Sequence, residues 1–299
     1  MSAYHHPVLL RESVVALAIN PNGTYVDATF GGGGHSRAIL DRLENGHLYA
    51  FDYDADAAAN THKDNRFTLI RNNFKYLQNC LRYTGCMSVD GILADLGVSS
   101  HQFDTQERGF SFRFDADLDM RMNRDAPLTA AHVLNTYREE ELERIFRQYG
   151  EMPHSKRIAL MIVKARAQKP IRKTGDLQSV LASVTPRQYA HKFWATLFQS
   201  LRIEVNREME ALESLLEQSL RLLKSGGRLA VITYHSLEDR MVKNFMRSGN
   251  RDGCINKDLY GNEDVPFIVV TKKAITPSPE EIAQNNRARS ARLRAAQKC

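Results

Sequence analysis

Through residues 24–97 the chain alternates short apolar runs with amphipathic stretches, the pattern of repeated strand–helix units that build a parallel sheet. The apolar runs predict strands over 24–30, 47–52, 67–71 and 89–96. From 102 to 200 the alternation stops. Polar loops surround Arg108-Gly109-Phe110-Ser111-Phe112, and helical stretches follow over 139–149 and 155–168, where Ile158, Met161, Ile162 and Ala165 recur at helical spacing. A long amphipathic helix is predicted over 203–224, with Val205, Met209, Leu212, Leu216, Leu220 and Leu223 on one face and Gly226-Gly227 as its stop. Residues 228–234 supply a fifth strand, and 267–271 read as another near the end. The economical arrangement is an α/β domain, mostly parallel, interrupted after its fourth strand by a helical insertion. It divides the chain into a first part of the main domain (1–104), an inserted helical substrate-recognition domain (105–200) and a second part with a basic C-terminal tail (201–299).

Chemistry gathers at strand ends. The run Val26-Asp27-Ala28-Thr29-Phe30-Gly31-Gly32-Gly33-Gly34-His35-Ser36 empties an apolar segment into glycines and then a helix, a turn that lets a ligand approach bare backbone. The second strand ends in Asp52, where doubly wound folds place the acid that grips ribose hydroxyls. The phosphate-binding patterns fit poorly: no G-x-x-x-x-G-K-[ST] exists, and Ser36 stands where the dinucleotide fingerprint needs its last glycine. The turn does match D-x-T-x-G-x-G, which resembles motif I of class I S-adenosylmethionine-dependent methyltransferases. Other nucleotide folds and a purely structural glycine turn remain open at this point. Asp95 closes the fourth strand, where it can accept a hydrogen bond from an amine or simply cap the next turn. After the fifth strand, Ser236 with Asp239 forms a candidate capping box, which leaves His235 as either a structural or a catalytic residue.

Composition narrows the class. The 299 residues are 42% hydrophobic and 25% charged, ordinary for a globular protein with a large core. No apolar run is long enough for a membrane span, and the first residues lack the basic-then-apolar order of a signal peptide, so a cytoplasmic protein is expected. Four scattered cysteines, with no C-x-x-C or H-E-x-x-H spacing, predict reduced thiols and no metal. The net charge of +6 is unevenly spread: residues 152–203 carry ten basic side chains against the single acid Asp176. Arg287, Arg289, Arg292, Arg294 and Lys298 close the chain with no acid after Glu281. Each run alone suits a solvated face, whereas two of them beside a cofactor turn point to a phosphate backbone.

Several ordered segments together carry a resemblance. They are His5 with Pro7-Val8-Leu9-Leu10 and Glu12, Gly33-Gly34-His35-Ser36, the run Asp90-Gly91-Ile92-Leu93-Ala94-Asp95-Leu96-Gly97-Val98-Ser99-Ser100, Glu107 to Phe112, Leu118-Asp119-Met120-Arg121-Met122, His235 to Arg240 and Arg287-Ala288-Arg289-Ser290. In that order, over nearly the whole chain, the sequence resembles the bacterial 16S ribosomal RNA cytosine-N4 methyltransferases, the RsmH (formerly MraW) family. His101, Ala116-Asp117 and Asn286 depart from the family's usual residues, in loops rather than at chemical groups.

The resemblance implies a class I methyltransferase fold (Rossmann-like, mostly parallel) with an inserted helical domain, and S-adenosyl-L-methionine as cofactor. It implies methylation of the exocyclic N4 amine of a cytidine in the decoding region, with the small ribosomal subunit and its 16S ribosomal RNA as partner; a homodimer is an open expectation. Carried over by position, the cofactor contacts are Gly33, Gly34, His35, Asp52, Phe74, Asp95 and Gln102, of which Phe74 and Gln102 rest on the resemblance alone. Asp95 is the candidate amine acceptor and His235 the alternative. A base must leave its stack to be methylated, so aromatics among Phe110, Phe112, Tyr189, Phe193 and Trp194 are candidates for a stacking wall, with core packing as the competing role. A small-molecule methyltransferase would share the glycine turn but gives no reason for the basic insertion. A non-catalytic RNA-binding factor would use the charges but not the turn.

Overall fold

The computed structural model describes residues 7–257, 260–261 and 263–299; His5 of the N-terminal motif lies outside them. The chain divides into two compact units, Met1–Gly97 with Met209–Cys299, and Val98–Glu208.

The first unit is built on a seven-stranded sheet. Its strands are β1 (Thr24–Asp27), β2 (His47–Asp52), β3 (Phe67–Arg71), β4 (Val89–Asp95), β5 (Leu223–Thr233), β8 (Phe267–Val269) and β9 (Arg292–Lys298), in spatial order β3-β2-β1-β4-β5-β9-β8. A separate two-stranded ladder joins β6 (Asn256–Lys257) to β7 (Glu263–Asp264). The first five strands of the large sheet pair in parallel, and β9 and β8 add antiparallel to the β5 edge. This is the mostly parallel, Rossmann-like sheet expected, with its order reversing between β1 and β4, the position at which such sheets bind ligands.

Alternation along each strand explains why the sheet is covered on both faces. Val26, Phe51, Ile92, Ala94, Leu229 and Val231 point to one side, against helices Leu77–Tyr83, Glu208–Leu222 and Ser236–Ser248. Tyr25, Leu48, Ala50, Leu93, Ala230 and Ile232 point to the other, against helices Leu10–Leu17 and Gly34–Leu40 and the buried Ala288, Ala291 and Leu293. Burying one such Leu or Ile contributes about 2 kcal/mol, so the two layers oppose the conformational entropy of this unit.

Three sequence expectations need correction. The helix predicted over 203–224 is two helices, Ala190–Asn206 and Glu208–Leu222, because Arg207 takes a left-handed conformation at φ 50° and ends the first. The strand predicted from 228 begins at Leu223; β5 runs through Gly226-Gly227, with an irregular register against β4 between Val89 and Gly91. The basic C-terminal tail is instead β9, an interior strand of the sheet. It alternates exposed Arg292 with Leu293, and Arg294 with the fully buried Ala295 and Ala296.

The second unit is helical: Ser100–Asp104, Ala130–Thr136, Glu139–Gln148, Ser155–Arg166, Thr174–Leu181 and Ala190–Asn206. Leu134, Leu142, Ile145, Phe146, Ile158, Ile162, Leu177, Leu197 and Leu201 form its buried interior. Among the described residues, no helix is long and apolar enough to cross a membrane.

Candidate functional site

Parallel pairing brings the carboxyl ends of β1, β2 and β4 side by side, Asp27 standing opposite Ala50 on one side and Leu93 on the other. The glycine turn comes directly after β1, and two of its glycines are held left-handed, Gly31 at φ +50° and Gly33 at φ +76°. At Gly33 a Cβ would also press on the Phe30 ring at 3.0 Å, so any side chain there is strained. A Cβ on Gly34 would strike the Pro7 ring at 2.7 Å, which makes Gly34 a packing glycine whatever else approaches it. Gly31 faces open space, with nothing within 4 Å of where a Cβ would stand. There the backbone is accessible to a ligand.

Three carboxylates surround this turn. Asp27 is fully buried and accepts hydrogen bonds from Ser36 Oγ at 2.7 Å and Thr29 N at 3.1 Å. Asp52 accepts from Gly31 N at 2.8 Å through one oxygen and Asp54 N at 2.9 Å through the other, tying β2 to the turn. Each oxygen keeps lone-pair capacity for a hydroxyl. Asp95 receives the Tyr234 hydroxyl at 2.8 Å, and its own amide donates to Thr29 Oγ1 at 2.6 Å. Among the described residues no Lys or Arg pairs with any of the three.

Their electrostatics follow. Burial pushes the pKa of Asp52 up to about 6, with the neighbouring Asp54 and Asp27 adding to the rise against two backbone hydrogen bonds. Burial likewise lifts Asp95 to about 6; His35 and the Tyr234 hydrogen bond oppose the rise, while Asp27 and Glu238 assist it. Burial also raises Asp27. Such a basin disfavours a phosphate and suits a cation. A sulfonium donor without phosphates fits it.

His35 opens the helix Gly34–Leu40 and is buried. Its Nε2 lies 3.1 Å from Val8 O, and since a carbonyl only accepts, Nε2 carries the proton. Nδ1 is then bare and faces Asp95 Oδ2 at 3.8 Å. Burial lowers the imidazole pKa, with Asp95 opposing, so the ring is neutral at neutral pH. Tyr234 follows β5, and its phenol is held well above its usual range, first by burial and then by Asp95; it stays protonated and donates.

The expected residues Gly33, Gly34, His35, Asp52 and Asp95 thus meet at one sheet edge. Phe74 lies in the turn after β3, half-buried against the sheet's core cluster, with its carbonyl facing Gln218 Nε2 at 3.4 Å. Gln102 belongs to the second unit, where it is buried and exchanges hydrogen bonds of 3.1 Å with Ser99. The capping box expected of Ser236 and Asp239 is formed by their neighbours: His235 is the N-cap, its Nδ1 accepting from Glu238 N at 3.4 Å, while Glu238 Oε2 accepts from Tyr234 N at 2.9 Å and His235 N at 3.4 Å. His235 therefore has a structural task, with Nε2 3.1 Å from Glu238 Oε1. Of the five candidate stacking aromatics, Phe110 and Trp194 are core residues, Phe112 and Phe193 are half-buried in edge-to-face contacts, and Tyr189 is openly exposed. Asp27, Thr29 and Tyr234 were not expected as site residues; their position at the carboxyl ends of β1 and β5 was the available signal.

A family model described as the MraW methylase family matches residues 2–299. A protein of Phocaeicola vulgatus named ribosomal RNA small subunit methyltransferase H is 56% identical over 296 residues, covering 99% of this chain and 97% of that one. One of the same name from Cytophaga hutchinsonii is 57% identical over 298 residues, covering 99% of each. The crystal structure of an rRNA methylase from Streptococcus thermophilus is 15% identical with a TM-score of 0.40, covering 97% of this chain and 94% of that one.

Proposed function

The chain belongs to the MraW methylase family, and from that premise we propose that it transfers a methyl group from S-adenosylmethionine to the N4 amine of a cytidine in the decoding region of 16S ribosomal RNA. The observation that supports the chemistry is the acidic, cation-free basin around an open glycine backbone at the carboxyl ends of β1, β2 and β4. The donor's residues are the Gly31–Gly33 backbone, Asp52 for ribose hydroxyls, and the Phe74 turn for the base. When bound, S-adenosylmethionine supplies an electrophilic methyl on a positively charged sulfur.

Cytosine N4 is a weak nucleophile because its lone pair is delocalised into the ring, so the protein's share is positioning and acceptance of an N–H. Asp95 takes that share. Tyr234 holds one carboxylate oxygen, leaving the other toward the bare Nδ1 of His35. A carboxylate with its pKa near 6 is ionised at neutral pH yet more basic than an ordinary aspartate. Asp95 would accept the proton that N4 gives up on methylation. RNA binding falls to exposed basic side chains of the second unit: Lys156, Arg157 and Lys164 share one face of helix Ser155–Arg166 with the exposed Leu160, and Arg187 and Lys192 flank the exposed Tyr189.

The direct test is mass spectrometry of ribosomal RNA from cells lacking the protein, paired with tritiated-methyl transfer onto isolated small subunits. One missing methylcytidine, restored by the purified enzyme, is the expected result. Label entering only a metabolite extract would point to a small-molecule substrate instead.

A further inference from the structure

The basic run at the chain's end acquires a position from the sheet. Because β9 runs antiparallel to β5, its first residue lies at the carboxyl edge of the parallel strands. Asp95 stands opposite Ile232, and Ile232 opposite Leu293, so the three form one row across β4, β5 and β9. Two inter-strand steps put the backbone of Leu293 about 10 Å from that of Asp95. Arg292 is one residue further toward the edge, opposite Thr233, and the turn Asn286–Ser290 lies just before it in the chain.

This turn is held by its own hydrogen bonds and presents its charges outward. Ala288 and Ala291 are anchored in the core cluster with Leu293, while Arg287, Arg289 and Arg292 are exposed. The turn's own bonds fix it: Asn285 Oδ1 accepts from Arg287 N at 3.2 Å, and Ala291 N donates to Ala288 O at 2.8 Å. The preceding helix Pro279–Gln284 is tied back to the domain by Glu281 Oε1, which accepts from Leu9 N at 2.7 Å. Arg292 spends only part of its charge on Asp239, at 3.1 Å, and remains half-exposed. Among the described residues Arg289 has no carboxylate partner.

An exposed arginine turn leading into Leu293, whose backbone lies about 10 Å along the row from the amine-accepting carboxylate, suits the phosphodiester backbone beside a nucleotide whose base has left its stack. We propose that Arg289 is a phosphate contact of the catalytic unit itself, gripping the RNA backbone that flanks the target cytidine. The proposal rests on the reading of the substrate as ribosomal RNA. It separates two electrostatic tasks: the helical unit captures RNA broadly, and the turn fixes the strand locally.

The test is binding of purified 16S ribosomal RNA to the full-length protein as a function of salt, read separately from methyl transfer. Arg289→Glu should weaken binding about tenfold at ~0.1 M salt and lower the slope of log affinity against log salt by about 1. Arg289→Lys should retain the slope, since a point charge suffices for a phosphate. Calorimetric affinity for S-adenosylmethionine should be the same in both variants and the wild type. Wild-type affinity and slope in Arg289→Glu would overturn the proposal. If the wild-type protein binds the RNA with the expected slope yet transfers no methyl to small subunits, the proposed reaction falls and the surface stands.

Discussion

The carboxylates Asp27, Asp52 and Asp95, which end strands of this sheet, and Asp239, on the helix after β5, are treated in opposite ways. At the β1–β2–β4 edge, Asp27, Asp52 and Asp95 receive only hydrogen bonds from neutral groups, and burial leaves all three with raised pKa values. One strand further on, Asp239 of helix Ser236–Ser248 is also buried, but it is bracketed by Arg294 at 2.7 Å and Arg292 at 3.1 Å. There burial works to raise the pKa, and the hydrogen bonds and charges of Arg294 and Arg292 overcome it, leaving the carboxyl below its usual value. Burial is common to both groups. On the function proposed above, Asp52 and Asp95 are the carboxylates kept for a ligand, and leaving such charges without a cation sacrifices stability for that purpose.

The largest effect is expected from removing the acceptor. Asp95→Ala should lower methyl transfer by about 10²–10⁴-fold, the usual contribution of a positioned proton acceptor, while calorimetric affinity for S-adenosylmethionine stays near that of the wild type. Loss of cofactor affinity in that variant would move Asp95 from the reaction to the donor's binding site, and the comparison would then concern one ligand instead of two.

Stability against pH separates the two groups by sign. Asp95 has a folded pKa near 6, above its unfolded value, so the folded state binds the extra proton. Its penalty is absent below pH ~4 and complete above pH ~6, where it is worth about 3 kcal/mol. Asp95→Asn should therefore be more stable than the wild type in urea melts at pH 8, with the gain vanishing toward pH 4. Asp239 has a lowered pKa; its contribution is present above the unfolded value and lost as pH falls through the folded one. Asp239→Asn should be less stable by about 2 kcal/mol at pH 8, and that deficit should shrink as acid is added. Deficits of the same sign in both variants at pH 8 would erase the distinction.

The β1–β2–β4 edge was legible in the sequence because its strands are buried on both faces and read as apolar runs ending in Asp or Gly. The other side of the sheet was not. β9 hides because its inward residues are mainly Leu293, Ala295 and Ala296, too small to stand out among Arg292, Arg294, Gln297 and Lys298. Its arginines looked like a tail, although two of them neutralise Asp239. The break at Arg207 has no sequence mark, since arginine is an ordinary helix former. Serine is the commoner cap, yet His235 takes that role because Glu238, three residues on, can reach back to its amide. Tyr234 closes an apolar run and reads as its last core residue until β4 is placed beside it.

The smallest expected effect asks whether that tyrosine tunes Asp95 or merely packs. The ring of Tyr234 packs against the sheet's core cluster, a contact that Phe would keep, so Tyr234→Phe removes the hydroxyl and little else. Asp95 then loses the side-chain hydrogen bond that lowers its pKa, while the opposing burial is unchanged. The acidic limb of the kcat profile, expected near pH 6 in the wild type from that same carboxyl, should move up by about 1 unit. At pH 8, where Asp95 is ionised in either protein, the loss should be only about fivefold, from a carboxylate less firmly oriented. A purely structural tyrosine would lower the melting temperature and leave the limb in place. A shifted limb with an unchanged melting temperature would instead show that the neutral donor at Tyr234 does for Asp95, weakly and reversibly, what Arg294 does permanently for Asp239.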